Sequence, residues 1–390
     1  MNVPSHDPEA RLARLRPVRA RIDLDRLAAN FHAVASHANR PVMPVVKADA
    51  YGHGAAQVAR RLVVEGAPLL AVAYPEEGAA LRAAGVKVPI VVLAGFAPGQ
   101  EAVIVAHDLT PVVSTPETLD LALAAAAAAR RRLAVHLKVD TGMGRLGFAP
   151  EPLEAAAASL AGSGRVEVAG LMTHLACADE DAAFTERQLD RFDEAVRRLA
   201  ALGLRPRHVH AANSAGLAFL RPTHTLVRPG LLLYGVRPRP LSPDLPVQPV
   251  MSLSARIALV KQVPVGATVS YGARWVAARP SRVATVPIGY ADGVPRTRVM
   301  SETGVFVARG ERIPIAGTVC MDLTMADVTD HPSVQAGDEA VVFGDAPGAW
   351  DLAECAGTNA WDVLTRVGSR VPRIYVEGGR VMAVAARYHP

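Results

Sequence analysis

Short apolar runs recur along the first 235 residues and alternate with longer stretches of helical composition. Eight of these runs predict strands, at 43–46, 69–73, 89–93, 110–113, 134–139, 167–172, 208–211 and 225–233. Between them, helical periodicity or alanine-rich composition predicts helices at 55–65, 75–84, 116–131, 152–161 and 185–202, with a further helix at 24–38 ahead of the first strand. Strand and helix in alternation call for a parallel sheet with helical crossovers, and eight repeats close such a sheet into a barrel. The alanine run within 116–131 reads as one outer helix, since alanine is the strongest helix former and Pro116 stands where a helix starts.

Beyond residue 242 the texture changes. Pro243, Pro246 and Pro249 interrupt the chain, and β-branched or alternating segments follow at 254–263, 282–288, 304–308, 312–319 and 339–343. Short helices are expected at 351–357 and 360–368. The expected fold is therefore α/β, an N-terminal (β/α)8 TIM-type barrel followed by a mainly β C-terminal domain. Its boundaries fall at 1–16 for an N-terminal extension, 17–245 for the barrel and 246–390 for the β-rich domain.

A chain of 390 residues exceeds the size at which one core stops growing, which agrees with two domains. Half the residues are apolar and one-fifth charged, the balance of a folded protein. The net charge of +5 is scattered rather than gathered into a basic stripe with aromatics, so no nucleic-acid partner is expected. Cys177, Cys320 and Cys355 lack metal-ligand spacing, and neither a metal site nor a disulfide framework is indicated. No long charge-free apolar stretch or secretory core is present, so the expectation is a cytoplasmic protein with no membrane partner.

One decapeptide carries most of the chemistry: Val45-Val46-Lys47-Ala48-Asp49-Ala50-Tyr51-Gly52-His53-Gly54. Its lysine sits at the C-terminal mouth of the first strand, ahead of a glycine-punctuated turn. An ordinary lysine titrates near 10.4, and desolvation lowers that value. Such a lysine serves as a Schiff-base former or a general base, or it simply snorkels to water. The decapeptide resembles the pyridoxal-phosphate lysine signature of the alanine racemases, and the likeness runs from about Arg19 to Tyr375. The resemblance implies a pyridoxal 5'-phosphate enzyme that interconverts L- and D-alanine as a homodimer. It further implies that Lys47 carries the cofactor and that Tyr51 contacts its phosphate.

The same resemblance assigns further residues, and most fall at strand ends. Lys138-Val139-Asp140-Thr141-Gly142-Met143-Gly144-Arg145 matches a family motif in which Arg145 assists substrate binding and Lys138 is a carbamylation site. His174 follows the sixth strand, Asn213 and Ser214 the seventh, and Arg228-Pro229-Gly230 lies at the eighth. Loops after strands seven and eight are common phosphate sites in barrels, which makes Ser214, Gly230 and Leu231 sensible ligands. Arg228 matches the arginine facing the cofactor's ring nitrogen. An arginine stays protonated and leaves that nitrogen unprotonated, which favours racemisation over transamination.

In the C-terminal domain, Val269-Ser270-Tyr271-Gly272 resembles the motif of the family's second catalytic base. Moving a proton from one face of a carbon to the other calls for two groups in the simplest mechanism, and Lys47 and Tyr271 supply them. By the resemblance Tyr271 comes from the partner subunit, with Met321 of Cys320-Met321-Asp322 beside it at the substrate. His174 then links that tyrosine to Arg228, Tyr375 is a second phosphate contact, and Tyr290 stands at the mouth of the access channel. D-alanine for peptidoglycan is the implied product.

Overall fold

The computed structural model describes residues 14–129 and 132–387. Most of the expected 1–16 extension, and the last two residues of the helix expected at 116–131, lie outside them. Two compact units emerge. One holds Leu27–Ala50 and Ala55–Val247; the other holds the described residues up to Arg26, the short segment Tyr51–Gly54, and Gln248 onward.

The first unit is a barrel. Six parallel strands lie in chain order, Leu70–Val72, Ile90–Val92, Leu109–Val113, Leu133–Lys138, Val166–Met172 and His208–His210. The two remaining positions of the ring are single bridges, Val45 to Ala71 and Val42 to Val227. Closure is completed by Thr225 N–H to the Val209 carbonyl (2.8 Å) and Met43 N–H to the Val227 carbonyl (2.8 Å). Pro41, Pro44 and Pro229 explain why these two segments are not regular strands, since a proline has no N–H to give to a ladder. The strand expected at 225–233 is accordingly corrected. It stops at Arg228-Pro229-Gly230, and Leu231–Tyr234 is a 3-10 turn. Outer helices include Leu24–Ala38, Ala55–Val64, Pro75–Ala83, Pro116–Ala128, Pro150–Gly162 and Ala182–Ala201. Pro116 does open its helix, capped by Thr115, whose hydroxyl accepts the Thr118 N–H.

The second unit is mainly β. A seven-stranded sheet runs in the order Glu311–Pro314, Val305–Ala308, Glu339–Phe343, Met251–Arg256, Val18–Asp23, Arg373–Glu377, Arg380–Ala385. Val18–Asp23 thus sits between Met251–Arg256 and Arg373–Glu377, although in sequence it precedes the barrel. The single segment expected at 254–263 is two strands. Met251–Arg256 ends in the large sheet, and Leu259–Val263 continues into a three-stranded sheet with Ser281–Val286 and Thr324–Asp327. Ile257 N–H turns instead to the Asp338 carbonyl (2.8 Å), and the chain changes sheets there. A small ribbon, Thr268–Val269 with Trp275–Val276, is rooted in a core of Val269, Val283 and Ala316. No helix among the described residues is long and apolar enough to cross a membrane.

Candidate active site

Lys47 leaves the barrel wall on an unusual piece of backbone. Val46 N–H is tied to the Ala71 carbonyl (2.8 Å), and the Tyr234 hydroxyl donates to the Val45 carbonyl (2.9 Å). From there Ala48, Asp49, Ala50 and Tyr51 all take left-handed helical angles, with φ between 52° and 55°. L-residues pay about 1–2 kcal/mol each for that handedness, so the turn needs outside support. Glu77 supplies it by accepting N–H groups from Ala48 (2.6 Å), Ala73 (2.7 Å) and Tyr74 (3.1 Å). Asp49 accepts the Ala55 N–H (2.7 Å) and so joins the turn to the next helix. Burial lowers the Lys47 amine from its ordinary value, and the positive charge of Arg145 lowers it further.

Arg228 is fully enclosed at the eighth barrel position. Its guanidinium donates to the carbonyls of Thr173 (2.8 Å), His210 (3.0 Å) and Ala211 (3.2 Å), to His210 Nδ1 (2.9 Å) and to His174 Nδ1 (3.2 Å). Burial brings it down to about 10, which still leaves it protonated at neutral pH. The histidines around it are held neutral: burial and then Arg228 push His174 and His210 well below 6.5, and burial takes His136 to about 3.

Neutrality fixes the tautomers. Arg228 only donates, so His210 accepts at Nδ1 and carries its proton on Nε2, which lies 2.9 Å from His136 Nδ1 and donates to it. By the same logic His174 accepts at Nδ1 and presents an Nε2–H. His210 and His136 went unread in the sequence, although the alternation His208-Val209-His210 on a barrel strand was a visible signal for an inward-facing imidazole.

Around this centre the other barrel residues fall into two corners. Ser214 is buried, and its Oγ accepts the N–H groups of Gly230 (3.1 Å) and Leu232 (3.2 Å), so the loops after positions seven and eight meet at one hydroxyl. The neighbouring Asn213 side chain accepts the Gly216 N–H (2.8 Å). In the other corner Asp140 organises the loop that carries Arg145, accepting N–H groups from Gly142 (2.9 Å), Met143 (2.8 Å) and Gly144 (2.9 Å). Burial opposes ionisation of Asp140, but those backbone donors outweigh it, and its pKa falls. Arg145 itself is exposed. Lys138 is buried, and desolvation followed by the charges of Arg145 and Arg228 brings its amine down to about 8. Lys47, Lys138, Arg145 and Arg228 thus form one cationic neighbourhood, and their charges add to burial in keeping His174 neutral.

The second unit holds the remaining candidates. Tyr271 tops the Thr268–Val276 ribbon at 69% exposed, on a turn with positive φ at Ser270, Gly272 and Ala273. Thr318 fixes that turn by donating to the Tyr271 carbonyl (2.9 Å), and Ser270 donates to the Thr318 carbonyl (2.6 Å). Tyr271 borders a cavity of about 250 Å³ with Arg274, Arg296 and Arg298.

Met321 is also exposed, at 51%, and its loop is buttressed from below. Tyr290 and Ala291 N–H groups bond the Cys320 and Met321 carbonyls (3.0 and 3.1 Å). Buried Asp292 binds Arg16, Arg370 (2.7 Å) and the Gly289 N–H (3.0 Å), and Arg370 reaches Asp322 (2.7 Å). Tyr290 is exposed, with Arg296 over its ring. Tyr51 and Tyr375 are both buried, and burial raises the Tyr51 phenol.

Family models describe the same two regions: "Alanine racemase, N-terminal domain" matches residues 22–238, and "Alanine racemase, C-terminal domain" matches residues 250–375. An alanine racemase of Sorangium cellulosum is 45% identical over 383 residues, covering 93% of this chain and 100% of the relative. One of Halothermothrix orenii is 42% identical, covering 92% and 97%. Among solved structures, alanine racemase from D-cycloserine-producing Streptomyces lavendulae superposes with a TM-score of 0.88 at 40% identity, covering 93% of this chain and 98% of that one. Alanine racemase from Bartonella henselae, solved with covalently bound pyridoxal phosphate, gives a TM-score of 0.83 at 30% identity, covering 92% and 99%.

Proposed function

The chain belongs to the alanine racemase family, and we propose that it interconverts L- and D-alanine with pyridoxal phosphate carried on Lys47, by a two-base mechanism in a homodimer. The observation that carries this reading is the Lys47 amine, lowered in pKa and held on a left-handed turn in the same cationic neighbourhood as buried Arg228. The donor set fits that cofactor. An amine of lowered pKa suits its aldehyde; the Ser214 hydroxyl with the Gly230 and Leu231 backbone suits its phosphate; a guanidinium that only donates suits its ring nitrogen. Tyr51 and Tyr375 add phenolic donors for the phosphate. When bound, the cofactor acidifies the Cα–H of the attached amino acid.

The chain's own groups then handle the proton. Lys47 takes it from D-alanine on one face of Cα, and Tyr271 of the partner subunit takes it from L-alanine on the other, each returning it in the reverse direction. The tautomer forced on His174 by Arg228 leaves an Nε2–H, the donor that eases a phenol toward its ionised form. Arg228 keeps the ring nitrogen unprotonated, which limits proton return at the wrong carbon. Arg145 and Met321 receive the substrate. Lys138, with its amine near 8, is poised for carbamylation, which would replace one cation by an anion between Arg145 and Arg228. The dimer reading rests on the exposure of Tyr271 and Met321, and the biological role read here is D-alanine for peptidoglycan, in the cytoplasm.

Borohydride reduction of the purified protein, followed by peptide mapping, tests the assignment. The expected result is a stable adduct on Lys47 and loss of the visible absorption band. An unmodified Lys47, or an adduct elsewhere, overturns it.

A further inference from the structure

Tyr51–Gly54 groups with the second unit, while the chain on either side of it belongs to the barrel. Within that unit the segment is gripped by Arg373. Arg373 is only 6% exposed, and its guanidinium donates to the carbonyls of Gly52 (3.1 Å), Gly368 (2.5 Å), Val371 (2.9 Å) and Val367 (2.6 Å). A planar fork that satisfies several fixed carbonyls at once sets direction as well as distance, and a lysine has no equivalent geometry.

Two glycines remove the remaining slack. At Gly52 (φ 81°) a Cβ would lie 2.4 Å from the Leu364 carbonyl oxygen, and at Gly54 (φ 92°) it would lie 1.8 Å from the Tyr375 hydroxyl. Arg373 and Tyr375 belong to one strand, Arg373–Glu377. That strand therefore holds the turn with its guanidinium and sets its phenol against the turn's last glycine.

We propose that Arg373 is a positioning residue for the cofactor's phosphate. It fixes the backbone next to Tyr51 and keeps the Tyr375 hydroxyl in register with Gly54, so that two phenols on different chain segments meet one phosphate in a set geometry. This rests on the reading of Tyr51 and Tyr375 as phosphate contacts.

The test is cofactor binding. Cofactor-free wild type, Arg373→Met and Arg373→Lys are titrated with pyridoxal phosphate and, separately, with pyridoxal, which lacks the phosphate; the visible band and intrinsic fluorescence report binding. Loss of hydrogen bonds made by a buried charged group weakens Arg373→Met for pyridoxal phosphate by about tenfold to a hundredfold. Arg373→Lys lies between, and pyridoxal affinity stays near the wild-type value. Amide exchange at residues 51–54 accelerates in both variants. An unchanged affinity for pyridoxal phosphate overturns the proposal, as does an equal loss for both ligands, which marks a general structural role. If Arg373→Met does not fold, the ratio of the two affinities in Arg373→Lys decides alone. A wild type that binds neither ligand sinks the parent reading; a wild type that binds while the variants match it sinks only this inference.

Discussion

The mouth of the barrel and the Tyr271 ribbon of the second unit are built on opposite plans. At the barrel mouth the ionisable groups are enclosed, and their protonation is set by neighbours on the same chain. Burial lowers Lys47, Lys138, His174 and Arg228 alike, and neighbouring positive charges lower the first three further. The Tyr271 turn, in contrast, is rigidly hydrogen-bonded from beneath while its phenol faces outward. One region tunes its own ionisable groups within a single unit. The other is a fixed platform that presents a reactive group. The difference teaches that rigidity and electrostatic tuning are separate achievements, and that a chain can encode the first while leaving the second to its surroundings.

The sharpest way to break this contrast is to separate the two halves genetically. Lys47→Ala is expected to lower kcat/KM by about 10⁴-fold and abolish the visible band, and Tyr271→Phe to cost about 10²–10⁴-fold while keeping it. Mixing and reassembling the two inactive variants restores activity if each site takes its lysine and its tyrosine from different subunits, because a mixed dimer then holds one intact site. No restoration in the racemisation assay would place both groups on one chain.

A smaller effect is expected beneath the exposed platform. Asp292→Asn removes the charge from a fully buried carboxylate that holds Arg16 and Arg370, and unfolding by urea should register a loss of about 3–5 kcal/mol. The mildest test addresses the enclosed region. The folded pKa of His136 lies near 3 and its unfolded value near 6.5, so only the unfolded chain takes up this proton between those limits. Stability therefore falls as the pH drops from 6.5 toward 3, by about 1.4 kcal/mol per pH unit for this group. In His136→Asn the slope of stability against pH should be flatter by that amount, as measured by urea unfolding between pH 4 and 6.5.

Much of the barrel was legible in the sequence because its strands are short apolar runs separated by helices with clear starts; 110–113 and 167–172 fall within Leu109–Val113 and Val166–Met172. The eighth position was not. Leu231, Leu232 and Leu233 extend the apolar run, but Pro229 withdraws a donor and the chain coils into a 3-10 turn. The β-rich half was harder, because pairing partners lie far apart in sequence. Nothing local in Val18–Asp23 says that it will lie beside Arg373–Glu377, and nothing in 254–263 marks the change of sheet at Ile257. The site divides in the same way. The roles of Glu77, His136, His210, Asp292 and Arg373 were not legible, because each rests on hydrogen bonds or ion pairs that include partners far along the chain.

The left-handed turn after Lys47 has one more implication. Its four residues are two alanines, an aspartate and a tyrosine, and such L-residues do not form a consecutive run of that handedness unaided. The ten-letter signature thus spells an identity without storing a shape. Transplanted to a foreign scaffold without a carboxylate in the place of Glu77, the same letters would relax into ordinary backbone and aim their amine elsewhere.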